Sequence, residues 1–190
     1  MKRLVNPFRY IAGGRALAVG LVPIAAASCW LHALGLCQNS YLHFGPAPDG
    51  FTLWRVAALQ AAMWLAPALV LYGCGLVLSP SRIRLVDVLG TTALAQAPIL
   101  LLLVPLSIAP LRGLLDRTAA ALLSGSAFPA PGQTTALVAA GLWSLAVLAL
   151  FYVRNYQAYA LSCNLHGRRA IVSYIAVAVL TTLATQYLPL

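Results

Sequence analysis

The sequence predicts an all-α, polytopic integral membrane protein: a bundle of five transmembrane helices with short interfacial helices, with residues 1–190 forming a single domain. Of its residues, 62% are apolar and 8% charged, against roughly a quarter charged in a soluble domain, so a water-facing shell cannot be built. The apolar residues fall into five runs: Ala16–Cys37, Val56–Ser79, Val88–Leu111, Thr135–Val153 and Ala170–Leu190. None contains a charged side chain, and each is close to the about 20 residues a helix needs to cross a bilayer core.

Before the first run, Asn6 and Pro7 suit an N-cap and first turn. They open a short interfacial helix reaching Gly13 and Gly14, with Phe8, Tyr10 and Ile11 toward lipid and Arg9 toward headgroups. Lys2, Arg3, Arg9 and Arg15 precede the run as in a signal peptide, but the run exceeds an h-region of about 7–15 residues and reads as a retained span. Ala26-Ala27-Ser28-Cys29 is similar to a lipoprotein processing site. It lacks the large aliphatic residue, and the apolar run continues past it, so it reads as span interior.

Gln38 to Arg55, with Pro46, Pro48 and Gly50, reads as an ordered external turn. In span two, Ala58, Ala62 and Ala66 form a stripe of small residues at every fourth position, read as internal packing, with a dimer seam as the alternative. Arg112 to Thr134 carries Leu114, Leu115, Ala119, Leu122 and Leu123 on helical spacing before a Pro/Gly-rich stretch, which predicts an amphipathic segment on the outer surface. After span four, Tyr152, Tyr156 and Tyr159 share one helical face near Arg154, predicting an interfacial extension over 154–166. Pro23, Pro67, Pro98 and Pro105 lie inside spans, where each frees a backbone carbonyl and kinks its helix. Gln96, two residues before Pro98, is placed to bond such carbonyls, in preference to a substrate contact.

Basic residues set the orientation, because short loops rich in Lys and Arg stay cytoplasmic. One side collects Lys2, Arg3, Arg9, Arg15, Arg82, Arg84, Arg154, Arg168 and Arg169; the other has Arg55, Arg112 and Arg117. The N-terminus is therefore expected in the cytoplasm and the C-terminus outside. The net charge of +9 then gathers on one face, where anionic lipids neutralise it, through Arg82, Arg84, Arg168 and Arg169 in particular. Nucleic acid is not needed as a partner. The expected partners are the bilayer, anionic lipids included, and a second copy or another membrane protein. The Arg and Ala bias suits a GC-rich bacterial genome, hence a cytoplasmic (inner) membrane.

The chemistry the chain lacks narrows function. The carboxylates are Asp49, Asp87 and Asp116, with no Glu and a single lysine, Lys2. No phosphate-cradling glycine loop, zinc-protease His–Glu–His helix or nucleophile elbow occurs. Intramembrane metalloproteases and Ser/Lys membrane peptidases are excluded, and no cofactor is implied. Asp87, three residues after Arg84, and Asp116, beside Arg117 and four after Arg112, suit ion pairs or helix-terminus charges. Cys29, Cys37, Cys74 and Cys163 lack the spacing of a disulfide framework and read as small buried hydrophobes. Cys29 and His32, with Cys37 and His43 beyond, would offer metal ligands, but in no recognised spacing.

Two segments carry a family resemblance: Arg84-Leu-Val-Asp-Val-Leu-Gly-Thr-Thr-Ala-Leu-Ala-Gln-Ala-Pro98 and Tyr156-Gln-Ala-Tyr-Ala-Leu-Ser-Cys-Asn-Leu-His-Gly-Arg-Arg169. The first resembles the Asp-then-Pro opening of the third span, and the second the Asn-Leu-x-Gly-basic end before the fifth span, in the bacterial branch of the Yip (Ypt/Rab-interacting) five-span membrane proteins. Asn6-Pro7-Phe8 agrees. The resemblance implies a non-enzymatic membrane protein organising lipid or partner proteins, with Asp87, Pro98 and Gly167 as positions that shape the fold. Gly167 would be a left-handed helix C-cap. The competing reading, from the kinked spans and Gln96, is a small-molecule permease or export subunit.

Overall fold

A computed structural model of the chain describes residues 13–41, 43–125 and 131–186. Its elements are α1 (Gly13–Ala33), β1 (Leu36–Ser40), β2 (His43–Pro46), α2 (Leu53–Leu78), α3 (Leu85–Ala95), α4 (Ile99–Ser107), α5 (Ala109–Ser124), α6 (Pro131–Ser162) and α7 (Gly167–Gln186). Five stretches are long and apolar enough to cross a membrane: Gly13–Ala33, Leu53–Leu78, Leu85–Ser107, Gly132–Ser162 and Gly167–Thr185. The all-α bundle of five spans predicted from the sequence is thus present, joined by one hairpin. The interfacial helix expected over residues 6–14 lies outside the described residues, save Gly13 and Gly14, which open α1.

Small residues set the closest helix pair. Ala16, Gly20, Ile24, Ala27 and Leu31 form the buried stripe of α1, and α1 packs on α3 more extensively than any other pair of elements. A Cβ on Gly90 would stand 2.7 Å from the Gly13 carbonyl oxygen and 2.8 Å from the Leu17 nitrogen, while one on Gly20 would stand 2.6 Å from the Ala93 Cβ. Residues 13–17 meet residue 90 and residue 20 meets residue 93, so the two helices run parallel. Where water supplies no drive between helices, such backbone proximity provides the van der Waals contact that holds them together.

The third span is two helices. Pro98 has no N–H for the Leu94 carbonyl, which instead accepts from Ala97 N–H at 3.4 Å, in a run of i→i−3 bonds through Leu101. The expectation that the Gln96 side chain would serve this carbonyl gives way to a simpler solution in the backbone. At Pro105 the carbonyl left without its partner is that of Leu101, and the Trp143 indole N–H donates to it at 2.9 Å. Extended backbone at Ile108 (φ −87°, ψ 99°) then ends α4 and opens α5.

The first span, expected to reach Cys37, ends at Ala33, and where a turn was expected from Gln38 to Arg55 the chain forms an antiparallel hairpin over residues 36–46, with Leu36 opposite Pro46 and a bulge between Gln38 and Ser40. It is seated in one end of the bundle. Tyr41, Cys37 and Leu36 join Leu31, Val56, Leu103 and Phe151 in one buried cluster. Tyr41 meets Phe151 edge-on, ring centres 5.7 Å apart, and its backbone N–H donates to Thr185 Oγ1 at 3.2 Å. Arg112 Nη1 donates to the Leu34 carbonyl at 2.7 Å, placing a cation at the C-terminal end of α1, where the helix dipole favours it.

Two further expectations are corrected. Ala58, Ala62 and Ala66 lie exposed on α2 and do not serve internal packing, because α2 turns Val56, Gln60, Met63 and Trp64 inward instead. Residues 154–162 continue α6 as one helix, on whose inner face Asn155, Ala158 and Tyr159 are buried. Gly167 is left-handed (φ +66°) but opens α7. The left-handed residue that closes α6 is Asn164 (φ 49°), flanked by Asn164 N–H to Leu161 O at 3.3 Å and Leu165 N–H to Ala160 O at 2.9 Å, the two bonds of a Schellman motif.

Candidate functional site

The end of the bundle opposite the hairpin carries Arg82, Arg84, Arg168 and Arg169, and its construction begins with the apolar residues between and beside them. Leu71, Val88, Tyr159, Cys163, Leu165, Ala170, Tyr174 and Val177 form a buried cluster, with Ile83 packed against it. Ile83 Cδ1 and Cys163 Sγ converge on the backbone of Gly75: a Cβ there would stand 2.8 Å from the first and 2.6 Å from the second. The α2–α3 loop is further ordered by Ser79 Oγ, which accepts from Ser81 N–H at 3.2 Å. Ile83 thus anchors one loop while Leu165 and Ala170 anchor the other, and all four arginines are left exposed on the same end.

The positions singled out by resemblance fall in different places. Asp87 does not ion-pair with Arg84 among the described residues; its Oδ1 lies 3.3 Å from where a Cβ on Gly13 would stand. It therefore sits in the first turn of α3 and beside the start of α1, where a carboxylate opposes two helix dipoles at once. Pro98 is buried at the break within the third span and Gly167 is exposed at the start of α7. Asp49 and Asp116 are exposed on the segments around the hairpin end.

The interior offers little reactive chemistry. Buried hydroxyls bond back to their own helices: Ser28 to Ile24 O at 2.9 Å, Thr92 to Val88 O at 2.7 Å and Thr91 to Asp87 O at 2.8 Å. Such bonds occupy the hydroxyl proton and mark a structural role. Burial pushes the Cys163 thiol up to about 11, leaving little thiolate at neutral pH, and burial likewise raises Tyr41 above its ordinary value. Cys37 and Cys163 are buried as expected, whereas Cys29 is exposed and Cys74 half-buried. Among the described residues no three His, Cys, Asp or Glu side chains gather as a metal site.

Amide side chains are the exception. Gln38 and Gln60 are almost fully buried, and among the described residues the Oε1 atoms of Gln38, Gln60 and Gln157 meet no donor. Gln38 Nε2 donates to the Tyr41 carbonyl at 2.8 Å. Gln60 lies one helical turn along α2 from Val56, which packs against the hairpin. Sequence reasoning passed over both: Gln38 sat in a presumed turn, and Gln60 is one amide in a long apolar run. Comparison of the chain with family models, curated proteins and solved structures yields no match.

Proposed function

We propose that this membrane protein is a non-enzymatic organiser of the Yip type, collecting anionic lipid or a partner protein at its basic end. The observation that carries this reading is the anchoring of two arginine-bearing loops to one apolar cluster through Ile83 and Leu165. Four guanidinium groups held by a rigid base form a persistent field of one sign, worth about 1 kcal/mol per basic residue beside an anionic leaflet. The Yip-like motifs agree in supplying shape rather than chemistry: Asp87 serves two helix starts and Pro98 a break. The basic end is assigned to the cytoplasm of a bacterial inner membrane, by the excess of Lys and Arg there.

The test uses full-length protein in vesicles containing spin-labelled phosphatidylglycerol or phosphatidylcholine. The immobilised fraction should favour the anionic lipid, and the preference should disappear when Arg82, Arg84, Arg168 and Arg169 are replaced by Gln. It should survive Asp49→Asn with Asp116→Asn. An unchanged preference in the arginine variant would sink the lipid arm, and absence of any protein crosslinked from the basic end in cells would sink the other.

One observation favours a permease or export subunit instead: the unmet Oε1 atoms of Gln38 and Gln60, acceptors that a small hydrogen-bond donor would satisfy. Solute flux into proteoliposomes that is lost on Gln60→Leu would decide for that reading.

A further inference from the structure

One face of the hairpin gathers donor atoms that the bundle does not use. Cys37 stands directly opposite Gly45, so its side chain rises beside the place a Gly45 side chain would take, about 5 Å from it. That place is bounded from the other side as well: a Cβ there would lie 2.5 Å from Asn39 Nδ2 and 3.5 Å from His43 Cε1. Gly45 thus leaves open a cradle that the Cys37 thiol, the Asn39 amide and the His43 imidazole surround. The thiol donates to Asn39 Oδ1 at 2.7 Å and lies 3.8 Å from the Pro46 carbonyl oxygen.

Exposure increases across the group. Cys37 is 2% exposed, Asn39 is half-buried and His43 is exposed, so the sulfur is enclosed while the imidazole can be reached from outside the fold. Burial raises the Cys37 thiol above its ordinary value, which keeps it protonated at neutral pH and makes it a poor free nucleophile. A soft cation is the ligand that displaces a proton from sulfur.

Two features choose the cation. Thiolate and imidazole are two strong donors, and among the described residues no third Cys, His, Asp or Glu joins them, whereas a closed zinc site takes four ligands. Residues 36–46 contain no Asp or Glu, and the exposed Asp49 lies beyond the hairpin. A divalent ion on one thiolate would leave a net charge against the apolar cluster that holds Cys37; a monovalent ion leaves none.

We propose that the hairpin binds one cuprous ion through Cys37 Sγ and a ring nitrogen of His43, with Asn39 Oδ1 beside the sulfur as an auxiliary donor. The Cu–S bond forms as the S–H bond breaks, the proton passes to water, and no electron is transferred. The Asn39 oxygen, relieved of the thiol proton, is then free to face the metal. The site lies at the opposite end of the bundle from the four arginines and does not depend on the function proposed for them.

The experiment is anaerobic titration of the full chain in detergent with Cu(I) buffered by bicinchoninate, followed by native mass spectrometry. The exposed Cys29 is replaced by Ala throughout, which removes an adventitious thiol. One copper per chain is expected, and no adduct with Zn(II). Cys37→Ala should abolish binding, and Cys74→Ala should leave it unchanged. His43→Gln, a change at an exposed side chain, should weaken binding about tenfold or more, since even the outer-shell partners of a ligand carry that much. X-ray absorption of the complex should show one sulfur neighbour together with nitrogen or oxygen. Should circular dichroism show Cys37→Ala to be misfolded, Cys37→Ser takes its place and His43→Gln decides alone. Full copper binding in a folded Cys37 variant or in His43→Gln overturns the site, as does an equal Zn(II) adduct, loss of copper on Cys74→Ala, or two sulfur neighbours from a bridge between chains.

Discussion

The Trp143 indole N–H donates to the backbone carbonyl of Leu101 at 2.9 Å, the carbonyl that would take the amide proton of residue 105 if that residue were not proline. One helix thus repairs the hydrogen-bond deficit of its neighbour, which hydrocarbon would otherwise leave unmet. Trp143→Phe should cost about 0.5–1.5 kcal/mol by chemical denaturation in mixed micelles. In a Pro105→Ala background the residue supplies its own N–H, so the Trp143→Phe cost should shrink. Equal costs in both backgrounds would show that the indole acts only by packing.

Gly90 faces backbone atoms, which cannot rotate away from an added methyl group. Gly90→Ala should therefore separate α1 from α3 and destabilise by about 1–3 kcal/mol, as overpacking does. Gly73→Ala, where a Cβ would meet nothing within 4 Å, is the control and should be neutral or slightly stabilising. Thermal unfolding of the two variants side by side checks the difference, and equal midpoints would contradict the tight α1–α3 contact.

Alkaline pH should reach Cys163 before the fold fails elsewhere. Its thiol ionises at about 11 in the folded chain against 9.0 ordinarily, so the folded state binds the proton more tightly than the unfolded one. The corresponding stability is complete below pH 9 and is lost as pH climbs from 9 toward 11. Melting temperatures between pH 8 and 11 should fall less steeply for Cys163→Ala than for the native chain, whatever the absolute stability of the variant. Parallel curves would remove Cys163 from the account.

With the basic end in the cytoplasm, as proposed, a phosphatase that works only outside it should be active when fused after Leu190 and silent when fused after Arg84. The opposite pair of results would invert the orientation.

The spans were legible because membrane insertion demands what a run such as Val88–Leu111 displays, uninterrupted apolar length. Their ends were less so. Arg154 reads as a boundary in the sequence, yet Asn155 beside it satisfies itself by donating to the Phe151 carbonyl at 3.0 Å and continues the helix inward. The hairpin was hidden for a different reason: Leu36–Ser40 has no clean alternation, because one strand contacts α1, α2 and α7 and is buried along nearly its whole length. Helix periodicity placed Ala58, Ala62 and Ala66 on one face, but only tertiary contacts decide which face points inward. The four arginines were legible as a cluster in sequence; that Ile83 and Leu165 hold their loops to one base was not, since it depends on Gly75 leaving room.

The bond from Tyr41 N–H to Thr185 Oγ1 joins an early segment of the chain to its final described helix. During synthesis the hairpin emerges with its amide bereft of that acceptor, and it stays so until α7 has left the ribosome and entered the bilayer. Closure of the bundle end therefore waits on the synthesis of α7, and a nascent chain arrested before α7 should display residues 36–46 to proteases that the protein with α7 in place resists.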